Sequence, residues 1–413
     1  MAKYVTDTLP DKFHKALISW QKKNFPDLDY LLERWSDHYR QEPFHLMAKI
    51  GEVRNPIIEV GRYEGREKFK QAKEMDEEVM EACAAIIRAQ ASTEFGSIQQ
   101  HRESLYKAQD PAMQFDVLRI MAEEFRHGYQ MVYVLASDTW TKGGKDLASE
   151  VLEELLHMET GSHVLDAFNL YFDSFVDNVT FAAIIDRVGK YQLTMQSIFS
   201  YEPMARSMPP MLVEEAFHLA SGVNPLKAWV GQAAKEEGNV SAANIQKHIN
   251  KWFARGLEMF GDERGGSKNI DFGFKPMKNL EAQELYTAEV QKEVIDLLNS
   301  AFIMARYPGF SRHQAIELGN QILRSQEAQK GIEPSELFLL PSPKFFRRRG
   351  VYAYLMSDLH GNLLQSQKEY VQYLRKNLPD SYLSGPDFAR YLENLERHYE
   401  GEEVKEGKLP FYG

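Results

Sequence analysis

Glu124-Phe125-Arg126-His127 and Glu215-Ala216-Phe217-His218 are the two stretches on which the reading of this 413-residue chain turns. Each sets Glu and His three positions apart, and so on one face of an α-helix, where both can turn inward together. A single carboxylate precedes each: Glu94 stands 30 residues before Glu124, and Asp186 stands 29 before Glu215. Two helices lending one carboxylate and two lending Glu-x-x-His make the six-ligand set of two-metal helix bundles. Four carboxylates neutralise two divalent cations, so the loaded cluster is uncharged and can be buried.

Glu-x-x-His is a cheap pattern, and this chain carries it four times. Glu42/His45 contains Pro43, which suits only a first helical turn, and no paired carboxylate helix precedes it. Glu154/His157 follows Glu124 by 30 residues and could rival the chosen set. Its segment, Ser149-Glu150-Val151-Leu152-Glu153-Glu154, is short and acidic between Gly143-Gly144 and Gly161, which reads as a solvated connecting helix.

Working outward, the four ligand segments read as long helices. One spans roughly 71–107 with the seam Val79, Cys83, Ile86, Ile87 and Ala91 leading to Glu94. Gly96 and Ser97 beside it either clear room for a metal or permit close helix packing. Asp110-Pro111, an N-cap acceptor and a first-turn proline, restarts a helix running to about 136. A third helix is expected over 174–199 around Asp186. The fourth is expected to open at Pro209-Pro210 and to stop at Gly222-Val223-Asn224-Pro225. Further helices are expected near 225–236, 241–260, 280–306, 365–377 and 386–399, with a β-hairpin near 350–365. The fold class is therefore all-α: a ferritin-like four-helix bundle with additional helices and a small C-terminal hairpin. The expected divisions are 1–70 (N-terminal helical segment), 71–262 (bundle core) and 263–413 (C-terminal extension).

Composition narrows the class. A net charge of −11 argues against a nucleic-acid partner. No apolar run reaches the length of a membrane span and no signal peptide is evident, so a cytoplasmic protein is expected. The single cysteine, Cys83, sits in an apolar run and reads as a buried structural thiol. One cysteine cannot hold an iron–sulfur cluster. The glycine-rich stretch Gly261–Lys268 lacks the strand–loop–helix setting of a phosphate loop.

The residues around the ligands are more specific than the ligands themselves. Glu123-Glu124-Phe125-Arg126-His127 with Met131-Val132-Tyr133, Asp186-Arg187-Val188-Gly189-Lys190-Tyr191-Gln192-Leu193, and Met204-Ala205-Arg206 leading into Glu214-Glu215-Ala216-Phe217-His218 resemble the metal helices of the benzoyl-CoA 2,3-epoxidase oxygenase components. Ile245–Asn250, Leu257–Gly261 and the region Phe346–Asn362 are similar to the same family, and the phenylacetyl-CoA epoxidase catalytic subunits share the metal pattern more loosely. The likeness runs through most of the chain beyond about residue 75; the stretch 263–345 diverges. It implies a di-iron monooxygenase with metal-binding and catalytic residues Glu94, Glu124, His127, Asp186, Glu215 and His218. It further implies two iron ions cycling between Fe2+ and Fe3+ (manganese being the alternative metal), O2 as co-substrate, and an aromatic acyl-CoA substrate that is epoxidised. Electrons would come from NADPH through a separate flavin and iron–sulfur reductase.

Several assignments stay open at the level of sequence. Glu123 and Glu214 each lie four residues before a histidine, and read as supporting or surface groups rather than ligands. Lys344-Phe345-Phe346-Arg347-Arg348-Arg349 is either a contact for CoA phosphates or a solvated basic run. Arg187 and Arg206 are alternatives for the same role, or structural ion pairs. A ferroxidase or iron-storage protein would use the same ligands. A radical-generating reductase subunit would need a tyrosine such as Tyr133 beside the metal, and a metal-free scaffold would bury six polar groups without partners.

Overall fold

A computed structural model describes residues 4–142, 145–261, 265–341, 357, 358, 360–364, 367–377, 386, 389 and 393. In chain order its helices are α1 (Asp11–Asn24), α2 (Leu28–Glu33), α3 (Trp35–His38), α4 (Glu77–Ser104), α5 (Pro111–Ala136), α6 (Leu147–His157) and α7 (Phe175–Gln196). They continue with α8 (Glu202–Ala233), α9 (Ala242–Met259), α10 (Ser267–Asp271), α11 (Asn279–Val290), α12 (Asp296–Arg306), α13 (Arg312–Ser325) and α14 (Gln367–Asn377). Two short antiparallel ribbons join them, β1 (Val5–Asp7) with β2 (Ala48–Ile50), and β3 (Thr141–Lys142) with β4 (Lys145–Asp146). Among the described residues no helix is long and apolar enough to cross a membrane.

The protein is all-α, and α4, α5, α7 and α8 are the long helices of a ferritin-like bundle. Local chemistry starts them where expected. Asp110 accepts from the Ala112 amide with Pro111 in the first helical position, and Ser174 with Asp177 forms a reciprocal capping box at the head of α7. From Ile120 to Val132 every residue of α5 is buried, so this helix lies at the centre of its unit. Trp20 of α1 covers it, its ring 4.7 Å from that of Phe95 and stacked 5.8 Å from Phe125.

The fourth bundle helix differs from the sequence expectation. It opens at Glu202, seven residues before Pro209, and runs through Pro209, Pro210 and Pro225 without a break, so no separate helix begins at 225. A proline inside a helix removes one hydrogen bond and strands the carbonyl four residues back. For Pro210 that carbonyl is Arg206, and it accepts instead from the Gly51 amide at 2.9 Å, just beyond β2. Buried Met204, Ala205, Met208 and Met211 anchor the early turns, and Leu226, Trp229 and Val230 the late ones. Tertiary burial here overrides the local stop signals. Gly222 allows a close approach of two bundle helices: a Cβ there would collide with the Ala183 backbone nitrogen of α7.

Other corrections are smaller. The first bundle helix begins at Glu77 rather than 71, after a 3-10 turn at Ala72–Glu74. The helix expected over 280–306 is present as α11 and α12, joined without a break by a π turn at Gln291–Ile295, and α13 was not anticipated. Of the C-terminal hairpin, the structure describes the turn, closed by an antiparallel Ser357–Leu363 bridge and by Asp358 accepting from the His360 and Asn362 amides. The first strand expected there and the basic run 344–349 lie outside the described residues, as does most of the helix expected at 386–399. The chain divides into two compact units, one of residues 1–226 and 264–288, the other of 227–263 and 289–413. All candidate ligands belong to the first.

Candidate metal centre

Four helices bring six side chains into one buried cluster: Glu94 from α4, Glu124 and His127 from α5, Asp186 from α7, and Glu215 and His218 from α8. Glu94, Glu124 and His127 place ligating atoms within 4.8 Å of one another, and Glu124, Asp186 and His218 do the same, so Glu124 is common to both groups. Glu215 closes the set, 3.9 Å from His127 Nδ1 and 3.6 Å from His218 Nδ1. Every member predicted from sequence is therefore in one place. The Gly222–Ala183 crossing, one turn from His218 and three residues before Asp186, is what draws α8 onto α7 there.

Both imidazoles turn Nδ1 toward the carboxylates and Nε2 outward. Neither Nδ1 has a hydrogen-bond partner, nor do Asp186 Oδ2 and Glu215 Oε2, although all are buried. Buried polar atoms without partners are rare in folded proteins, and converging on one point these four suit a bound cation. Two imidazole nitrogens with four carboxylates are a donor set suited to iron or manganese. The carboxylates also act on one another at close range in a buried setting. Burial and the neighbouring charges of Glu215 and Glu94 push the Asp186 carboxyl up to about 8. Burial and Glu94 likewise raise Glu124 well above the ordinary range. At Glu94, burial is outweighed by the neighbouring Glu124 carboxyl and His127 imidazole and by the Gln90 amide, which hold its carboxyl below that range.

The outward nitrogens are held by the two residues left undecided from sequence, and they are held crosswise. His127 Nε2 of α5 meets Glu214 of α8 at 2.9 Å, and His218 Nε2 of α8 meets Glu123 of α5 at 3.0 Å. Each Glu thus orients the histidine of the opposite helix. Arg126 and Lys49 pair with Glu214, both at 2.5 Å. Burial opposes ionisation of Glu214, yet Arg126, His127 and Lys49 hold its carboxyl well below the usual range. Arg119 pairs with Glu123 at 3.0 Å and lies 3.7 Å over the Phe217 ring. Sequence reasoning missed Lys49, Arg119 and Arg126. Arg126 stood inside the quoted motif, but nothing in the sequence links Lys49 to it.

The rejected candidates lie elsewhere. Glu154 pairs with Arg88, and His157 Nδ1 bonds the Glu153 carbonyl on the exposed side of α6. Glu42 and His45 sit in a non-helical segment. Tyr133 donates to Asp7 of β1 at 2.7 Å. Arg187 donates to Ala183 within α7, and Arg206 to the Gly51 carbonyl. Gly96 faces Phe168 and the His163 ring, where a Cβ would come within 2.9 Å of Phe168, so its smallness serves packing. Cys83 is fully buried, and burial raises its thiol well above the ordinary range.

Fold and cluster together define a class: a ferritin-like helical bundle with a buried carboxylate–histidine centre able to hold metal. Among curated proteins the chain is similar to Benzoyl-CoA oxygenase component B of Aromatoleum evansii, at 24% identity over 402 residues, covering 89% of this chain and 81% of that one. No family model matches it.

Proposed function

We propose that this chain is the oxygenase component of an aryl-CoA epoxidase. Glu94, Glu124 and His127 hold one iron ion, Asp186, Glu215 and His218 hold the other, and an aromatic acyl-CoA of the benzoyl-CoA type is the substrate. The observation that carries the reading is the convergence of six buried ligating side chains with both histidine Nδ1 atoms unpartnered. Similarity to a protein named as a benzoyl-CoA oxygenase component supports the reaction class and substrate. The word "component" in that name supports a partner, here a flavin and iron–sulfur reductase drawing on NADPH.

Bound iron supplies the reduction of O2 that oxygen insertion requires, one oxygen atom going to the ring and the other to water, with two electrons from the reductase. The protein contributes geometry and dryness. Glu123 and Glu214 fix the ring orientation of His218 and His127 and raise their basicity as ligands. The burial of α5 excludes water from the centre, which strengthens each electrostatic contact.

The test begins with anaerobic addition of ferrous iron to the full chain, followed by O2, a reductase and a panel of CoA esters. Iron should saturate near two per chain, and O2 uptake should require reductant and rise with an aromatic acyl-CoA but not with the free acid. Aerobic uptake of tens of irons per chain into a hollow assembly would make it an iron-storage protein instead.

A further inference from the structure

The two halves of the cluster are matched in their ligands and unmatched in what stands behind them. Behind His127 is Glu214, and Glu214 carries two cations: Arg126, whose side chain is fully buried, and Lys49 at 2.5 Å. Behind His218 is Glu123, and among the described residues its paired cation is Arg119. Counting each carboxylate and its cations, the group behind His127 has a net charge of +1 and the group behind His218 is neutral. A carboxylate already paired twice is also a weaker hydrogen-bond acceptor, and so pushes less electron density through its imidazole. Both effects act in one direction. A divalent cation is repelled by the extra positive charge behind His127, in surroundings where water screens poorly.

Resting on the two-metal reading above, we propose that the metal positions are unequal and fill in order: the Asp186–Glu215–His218 position first, the Glu94–Glu124–His127 position second, with Lys49 setting much of the gap. Lys49 comes from β2, outside the four metal helices, and its side chain is 30% exposed. It is therefore a positioning charge that can be altered without opening the bundle.

The experiment is an anaerobic calorimetric titration of ferrous iron into the metal-free full chain. Two binding events should appear, with dissociation constants about tenfold or more apart. His218→Ala should delete the tighter event and His127→Ala the weaker. Lys49→Met, which keeps the length of the side chain, should tighten the weaker event severalfold and leave the tighter one in place, while Lys49→Arg should restore the wild-type gap. Lys49→Gln repeats the charge removal should the Met variant fold poorly. Two equal sites in the wild type would overturn the inference. So would loss of the tighter event in His127→Ala, or an unchanged gap in both Lys49→Met and Lys49→Gln. Absence of iron binding by the wild type would overturn the metal reading itself, and this inference with it.

Discussion

His127 of α5 and Glu214 of α8, 87 residues apart in sequence, meet at 2.9 Å through the imidazole Nε2 and a carboxylate oxygen. The contact ties two metal helices together and decides which nitrogen of His127 faces the cluster.

Removing Glu214 should therefore be expensive. Glu214→Ala leaves the fully buried Arg126 without its carboxylate, and breaking a buried pair from one side costs about 3–5 kcal/mol. Urea unfolding should show a loss of that order. The double variant Glu214→Ala, Arg126→Met should recover a large part of it, because no buried charge is then unpaired. A double variant no more stable than the single one would show that the pair is not the cause.

Ligand assignment is tested by metal content. Iron bound per chain should fall by about half or more in His127→Ala and in His218→Ala, since each removes one of the two imidazoles of the proposed set. His157→Ala should match wild type, because that ring is engaged with the Glu153 carbonyl on exposed α6. Iron loss in His157→Ala, or full occupancy in both of the others, contradicts the assignment.

Gly222 makes the crossing of α7 and α8 possible, since a Cβ there would collide with the Ala183 backbone nitrogen. Gly222→Val should force the helices apart, lowering stability by about 1–3 kcal/mol. It should also weaken metal binding, because Asp186 and His218 flank that contact. A thermal melt and an iron assay on one sample check both effects. Unchanged stability would mean that the backbone yields there without strain.

Acid should weaken the protein through buried His163. Burial pushes this ring down to about 4 from an ordinary value of 6.5, and as a neutral imidazole it is paired with Gln99 Oε1 at 2.8 Å and Ser92 Oγ at 3.2 Å. Because the folded value is the lower one, the unfolded chain binds the extra proton between these limits. Stability is then complete above pH 6.5 and declines as pH falls toward 4, by up to about 1.4 kcal/mol per pH unit for one proton. His101, also pushed down to about 4 by burial, adds a second contribution of the same sign. His163→Gln should flatten the decline between pH 6 and 5 by about one proton, measured by urea unfolding at each pH. An unchanged slope would show that His163 is protonated in the folded protein.

By itself the sequence determined the helical class and the six members of the cluster. Helical spacing forces residues three apart onto one face, and a carboxylate among apolar neighbours needs a partner, so Glu94, Glu124, His127, Asp186, Glu215 and His218 were legible as one set before any packing was known. The start of α5 was equally legible, since Asp110 and Pro111 act within one turn. The course of α8 was not. Pro209, Pro210 and Pro225 argue locally for an interruption, and only burial of both ends and the Gly51 amide on the Arg206 carbonyl allow the helix to continue. The roles of Glu123 and Glu214 were left undecided for a related reason: adjacent glutamates on a helix point about a quarter-turn apart, and which partner each finds depends on the helix opposite. Lys49 lies farthest from sequence reasoning. It reaches Glu214 from 165 residues away, along a strand edge that pairs with β1, and such an encounter is decided by the folded path of the chain alone.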